Sequence, residues 1–80
     1  MDVELTPDAL EQFRALPGVM QKRVQKVLLR LRDWPTVSGA KALSGNLAGW
    51  YRIRTGDYRI RFRVEPSGIS VDKIGHRKDI

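Results

Sequence analysis

The sequence predicts an α+β fold of order β-α-α-β-β-β, with a helical hairpin packed on one face of a small, mostly antiparallel sheet. Three observations predict it. Apolar residues recur twice at helical spacing before Trp34, they alternate with cations between Trp50 and Val64, and Gly or Pro marks each change of period. The chain of 80 residues has room for one domain, spanning 1–80. A domain this small buries about 60–65% of the surface that its unfolded chain exposes, so the core is thin.

Val3 and Leu5 alternate with Asp2 and Glu4 and open the chain as a short strand. Thr6-Pro7-Asp8 starts the first helix, with a hydroxyl cap, proline at the first helical position and acid in the first turn. Ala9, Leu10, Phe13 and Leu16 supply its apolar stripe, and Pro17-Gly18 breaks it. A second helix carries Met20, Val24, Val27, Leu28 and Leu31 on one face and Lys22, Arg23, Lys26, Arg30 and Arg32 on the other, where solvent accounts for them. Trp34-Pro35 closes it, because a residue before proline avoids the helical region. Residues 36–49 hold Gly39, Gly45, Asn46 and Gly49 and read as a connecting loop. Trp50 to Arg54, Tyr58 to Val64 and Ile69 to Ile74 read as strands, joined by turns at Thr55-Gly56-Asp57 and Glu65-Pro66-Ser67-Gly68.

Fifteen Lys and Arg against nine Asp and Glu leave a net charge of +6 and point to a polyanionic partner. With no cysteine there is no disulfide framework, thiolate metal site or cysteine nucleophile. The longest strictly apolar run, Val27-Leu28-Leu29, is far short of the ~18 residues of a membrane span. The opening MDVELTP carries acid where a secretion signal carries base. The expected class is a small, soluble, cytoplasmic basic protein without a membrane partner. There is no phosphate-cradling glycine loop and no HExxH, and the acids are scattered, so neither a metal nor another cofactor is expected.

Arg52, Arg54, Arg59, Arg61 and Arg63 stand against one acid, Asp57, between positions 52 and 63. If Gly56-Asp57 forms a two-residue type II′ loop, Ile53 faces Ile60 and Tyr51 faces Phe62 on one side of the ribbon. On the other side Arg54 faces Arg59 and Arg52 faces Arg61. A register slipped by one would set isoleucine against arginine. Directly opposed like charges destabilise a sheet by up to about 1 kcal/mol per pair. Two such pairs with no interleaved acid suggest guanidinium forks aimed at phosphate. His76 is the single histidine. Histidine is the side chain whose ordinary pKa lies near neutrality, and a neutral imidazole there can accept a proton.

The run Leu43-x-Gly45-x-x-x-Gly49-x-Tyr51-Arg52-Ile53-Arg54, then Gly56-Asp57-Tyr58-Arg59 and Ile74-Gly75-His76-Arg77, resembles the RelE branch of the RelE/ParE toxins of type II toxin–antitoxin systems. The similarity covers essentially the whole chain. It implies a RelE-like fold and a metal-independent endoribonuclease that cuts messenger RNA in the ribosomal A site through 2′-hydroxyl attack. It places Arg52 and Arg54 around the scissile phosphate, Arg59 on the developing charge and Arg77 at the leaving group. His76 joins these as a candidate for proton transfer, with Arg61, Arg63, Lys41 and Lys78 as RNA contacts. Family members commonly continue past the position of Ile80 to a tyrosine that takes part in acid–base chemistry. A chain ending at Ile80 is therefore expected to cleave weakly unless His76 or ribosomal groups cover that role.

The partners implied are the ribosome, messenger RNA and a cognate acidic RelB-like antitoxin, with operator DNA reached through the antitoxin complex. A ParE-like gyrase inhibitor and a non-catalytic basic module for RNA or antitoxin are the alternatives. A helix-turn-helix reading at Pro17-Gly18 is weakened, because no third helix follows.

Overall fold

The Thr6 hydroxyl accepts the Ala9 N–H at 3.2 Å, and with Pro7 in the first turn it starts helix α1 (Pro7–Arg14) in the way its residues dictate. Strand β1 (Val3–Leu5) precedes it and helix α2 (Gly18–Leu31) follows. Among the described residues no side chain caps the start of α2, but Gln21 in its first turns donates to the carbonyls of Phe13 and Arg14, tying the end of α1 to the start of α2. The computed structural model describes residues 1–79; Ile80 lies outside the described residues.

The sheet continues with β2 (Lys41–Ala42), β3 (Trp50–Thr55), β4 (Tyr58–Glu65) and β5 (Gly68–His76) in the spatial order β1-β5-β4-β3-β2. β1 runs parallel to β5, and the other pairings are antiparallel. The α+β class and element order follow the sequence expectation, with one addition. Part of the segment expected to be loop forms the two-residue strand β2 against β3, and Gly45–Leu47 makes one 3₁₀ turn. Two residues on an edge are too few to show an alternation in sequence. No helix among the described residues is long and apolar enough to cross a membrane.

The β3–β4 hairpin has the register that burial requires: Ile53 opposite Ile60, Tyr51 opposite Phe62, Arg54 opposite Arg59 and Arg52 opposite Arg61. Gly56 has φ 60° and Asp57 a negative φ, the II′ arrangement whose twist matches the strands. Ile53, Ile60, Phe62, Ile69, Val71 and Ile74 pack beneath Ala9, Val24, Val27 and Leu31 of the helices. Trp34 closes one end of this core edge-on to Tyr51 and Phe62, at ring separations of 4.7 and 5.4 Å.

β5 departs from strict alternation. Val71 and Ile74 both face the helices although three positions apart, and the register shifts by one residue opposite Arg61/Phe62. Asp72 and Lys73 therefore both oppose Arg61 in a β-bulge. The Ile74 N–H beyond the bulge donates to Gln12 Oε1 of α1 at 2.7 Å, so the irregularity leaves no orphan donor there.

Gly68 turns the chain into β5 with φ 148°, and its backbone passes so close to β1 that an added Cβ would stand 2.5 Å from the Asp2 carbonyl oxygen. The same carbonyl accepts the Ile69 N–H at 2.8 Å. Gly68→Ala is expected to lower unfolding stability by about 3 kcal/mol, combining backbone strain with the clash, as read from urea denaturation.

Candidate functional site

The sheet has one face under the helices and one face open. By alternation the open face carries Lys41 from β2, Trp50, Arg52 and Arg54 from β3, and Arg59, Arg61 and Arg63 from β4. The five hairpin arginines do share this face, but their heads divide into two sets.

Arg61 and Arg63 are paired. Arg61 donates from Nε and Nη2 to the two carboxylate oxygens of Asp72 at 3.0 and 2.7 Å, and both side chains are about four-fifths covered, with 24% and 19% of their surface exposed. Hydrogen bonding by Asp72 outweighs burial and holds Arg61 above the ordinary arginine value. Arg63 donates to Glu65 at 2.9 Å. Trp50 lies against both guanidinium groups, 5.3 Å from that of Arg61 and 5.1 Å from that of Arg63. The expectation of five uncompensated cations is thus corrected: of the two repulsive cross-strand pairs, Arg52–Arg61 is relieved by Asp72, and Arg54–Arg59 remains. Asp72 was missed because its reach to Arg61 depends on the bulge. The three-residue spacing from Val71 to Ile74 was the available signal.

Arg52, Arg54 and Arg59 meet no carboxylate at ion-pair distance among the described residues. Arg59 Nε is closed to solvent and has no hydrogen-bond partner among the described residues. Loss of its water, then the like charges of Arg52, Arg54 and Arg77, push this guanidinium below the ordinary arginine value, although it stays a cation at neutral pH. Arg77 approaches from the C-terminal side. Its backbone N–H donates to the Asp57 carbonyl at 2.7 Å, and its Nε lies 3.9 Å from the Asp57 carboxylate in an exposed, weak pair. Lys41 joins Arg52 and Arg54 around a shallow groove of about 490 Å³ that also touches Gly39 and Gly56. One end of the open face is therefore a cationic basin with donors to spare.

His76 does not enter that basin. It pairs with Tyr58 across β4–β5, and two positions before it Ile74 faces the helices, so the imidazole turns to the side opposite Arg59. Its ring stands edge-on to Tyr58 at 5.5 Å. Nδ1 accepts the Lys78 N–H at 3.2 Å, which puts the neutral ring's proton on Nε2 and makes the outer nitrogen a donor. This corrects the expectation of a proton-accepting imidazole beside the arginines. Lys78 itself is exposed in the turn after β5.

A family model described as the ParE toxin of the type II toxin–antitoxin system parDE matches residues 3–80. The chain belongs to that family. Among other members of this RelE/ParE toxin superfamily, it is similar to toxin RelE3 of Methanocaldococcus jannaschii, 26% identical over 83 residues that cover 100% of this chain and 94% of that toxin. The toxin–antitoxin complex RelBE2 of Mycobacterium tuberculosis has a chain 25% identical with TM-score 0.76, covering 94% of this chain and 95% of that one. A YoeB/ParE toxin from Agrobacterium tumefaciens superimposes with TM-score 0.79 at 20% identity, over 95% of this chain and 98% of that one, a likeness of fold. In this ParE-family toxin, then, the open sheet face divides into a paired half and an unpaired half.

Asp72→Asn is expected to lower stability by about 1–2 kcal/mol by breaking the double hydrogen bond to Arg61. It should also steepen the salt dependence of poly(U) binding by about 0.7 in log–log slope, the contribution of one added cation on a single strand. Urea denaturation and filter binding over a salt series measure the two effects.

Proposed function

We propose that this type II toxin is a metal-independent endoribonuclease that cleaves messenger RNA on the ribosome. The observation that carries the reading is the set of unpaired cations, Arg52, Arg54 and Arg59 with Arg77 beside them, kept together against mutual repulsion. In this reading the 2′-oxygen of a ribose forms a bond to the adjacent phosphorus while the bond from phosphorus to the 5′-oxygen breaks. The products are a 2′,3′-cyclic phosphate and a 5′-hydroxyl. Arg52 and Arg54 hold the non-bridging oxygens, Arg59 donates to the charge that develops on the phosphorane, and Arg77 supports the leaving oxygen.

Arginine holds its proton far above neutral pH and is a poor proton carrier. His76 presents its donor nitrogen on the far side of the sheet. The chain's own residues thus supply electrostatics and positioning, which fits a reaction completed by ribosomal groups that orient the RNA and exchange its protons. An acidic RelB-like antitoxin is the proposed partner that neutralises the same basin, as its charge would complement it.

Programmed ribosomes and end-mapped messenger test the reading. Arg59→Ala should cut the cleavage rate by about 100-fold or more, the usual loss for one transition-state donor, with the circular dichroism spectrum retained. Cleavage should stop when the ribose at the cut carries no 2′-hydroxyl, and the upstream fragment should end in a 2′,3′-cyclic phosphate. Undiminished cleavage by the Arg59 variant would sink the assignment. The ParE description of the matching family favours a second reading, a gyrase inhibitor. Accumulation of gyrase–DNA cleavage complexes without messenger cleavage would select it.

A further inference from the structure

Leu43 and Leu47 are half-buried, yet neither belongs to the core under the helices nor packs against it. They sit beyond the Lys41–Ala42 strand, where the Gly45–Leu47 turn folds them back, and with Arg52 and Arg61 they line a small, mainly apolar cavity of about 150 Å³. An apolar cavity on the cationic face of a sheet needs an explanation that core formation does not give. It is too small for a drug-sized ligand, whose pockets begin near ~300 Å³. Its walls suit a flat ring. Two leucines offer apolar contact, and Arg61 offers a guanidinium whose plane is fixed by both Asp72 oxygens and backed by Trp50 at 5.3 Å. Guanidinium planes stack on unpaired bases, and a guanidinium already neutralised by a carboxylate serves better as a stacking surface than as a phosphate clamp. Arg52 belongs to both this cavity and the neighbouring groove of Arg54 and Lys41, so the two sites adjoin.

We propose that the cavity of Leu43, Leu47, Arg52 and Arg61 is a nucleobase pocket that holds one base of a single-stranded RNA whose backbone lies on the unpaired arginines. The inference rests on the RNA-directed reading above and adds the element that would give it base dependence. Phosphate contacts set affinity and position, and a stacked base adds preference for where along the strand the protein settles.

The test is fluorescence anisotropy with short RNAs made uncleavable by 2′-O-methylation, in which each nucleotide in turn is made abasic. Every phosphate is retained, so the electrostatic part of binding stays constant. Wild type should lose roughly tenfold in affinity at one abasic position, the effect of one stacked base. In the Leu43→Ala/Leu47→Ala protein that sensitivity should vanish while the salt slope matches wild type. Leu47→Phe, which fills the cavity instead of emptying it, should also erase the sensitivity. Methyl resonances of Leu43 and Leu47 in the unmutated protein should shift with intact RNA and stay in place with the RNA abasic at that position, which tests the pocket even if a variant fails to fold. Uniform binding of all abasic RNAs by wild type, or discrimination that persists in the variants, overturns the pocket and leaves the nuclease reading standing. Failure of wild type to bind any of the RNAs overturns the pocket, and cleavage on programmed ribosomes decides the nuclease reading separately. Base-sensitive binding without messenger cleavage supports the pocket and removes the nuclease.

Discussion

Burial of Ile53, Ile60 and Phe62 beneath α2 dictates what the other side of the sheet can be. These residues alternate with Arg52, Arg54, Arg59 and Arg61, so seating the apolar set under the helices drives the whole cationic set to the open face. Each fully buried side chain of this size is worth about 1.5–3 kcal/mol, while the surviving Arg54–Arg59 opposition costs up to about 1 kcal/mol. The apolar term wins by a wide margin. A thin core thereby carries a face that works against it, and the arginine heads are held on strands and not on a flexible loop.

The division of that face follows from where the acids fall. Asp72 and Glu65 reach Arg61 and Arg63, toward the end of the sheet that holds Trp50, whereas near the hairpin turn the one ion pair among the described residues is the weak one between Arg77 and Asp57. The result is a gradient across one surface, from partly apolar beside Leu43 and Leu47, where Asp72 neutralises Arg61, to strongly positive at Arg54, Arg59 and Arg77. A strand of RNA offers the same pairing of features, flat bases alternating with charged phosphates.

Much of this was legible in the residues. The helix start at Thr6-Pro7, the break at Pro17-Gly18 and the hairpin register follow from local rules, because Tyr51, Ile53, Ile60 and Phe62 admit one parity and Gly56-Asp57 admits one turn. The partners of the arginines were not legible. Arg61 and Asp72 lie on different strands, and their meeting depends on an inserted residue that strict alternation does not anticipate. The side taken by His76 was hidden for the same reason: counted from Ile69 without the bulge, it would have joined the arginines. The β2 strand and the Leu43–Leu47 cavity arise from a glycine-rich stretch whose path is set by tertiary contact, not by any periodic pattern.

The extra residue at Asp72 also sets a parity rule for the end of the chain. It reverses inside and outside for everything that follows, which seats Ile74 in the core and sends Arg77 toward Arg59. Removing one residue from β5 while the bulge is kept would turn the terminal arginine beneath the helices and bring an aliphatic side chain to the surface. Among kindred toxins that keep this terminal arginine beside the others, length changes between the start of the last strand and that arginine should come in even steps, or be matched by gain or loss of a bulge.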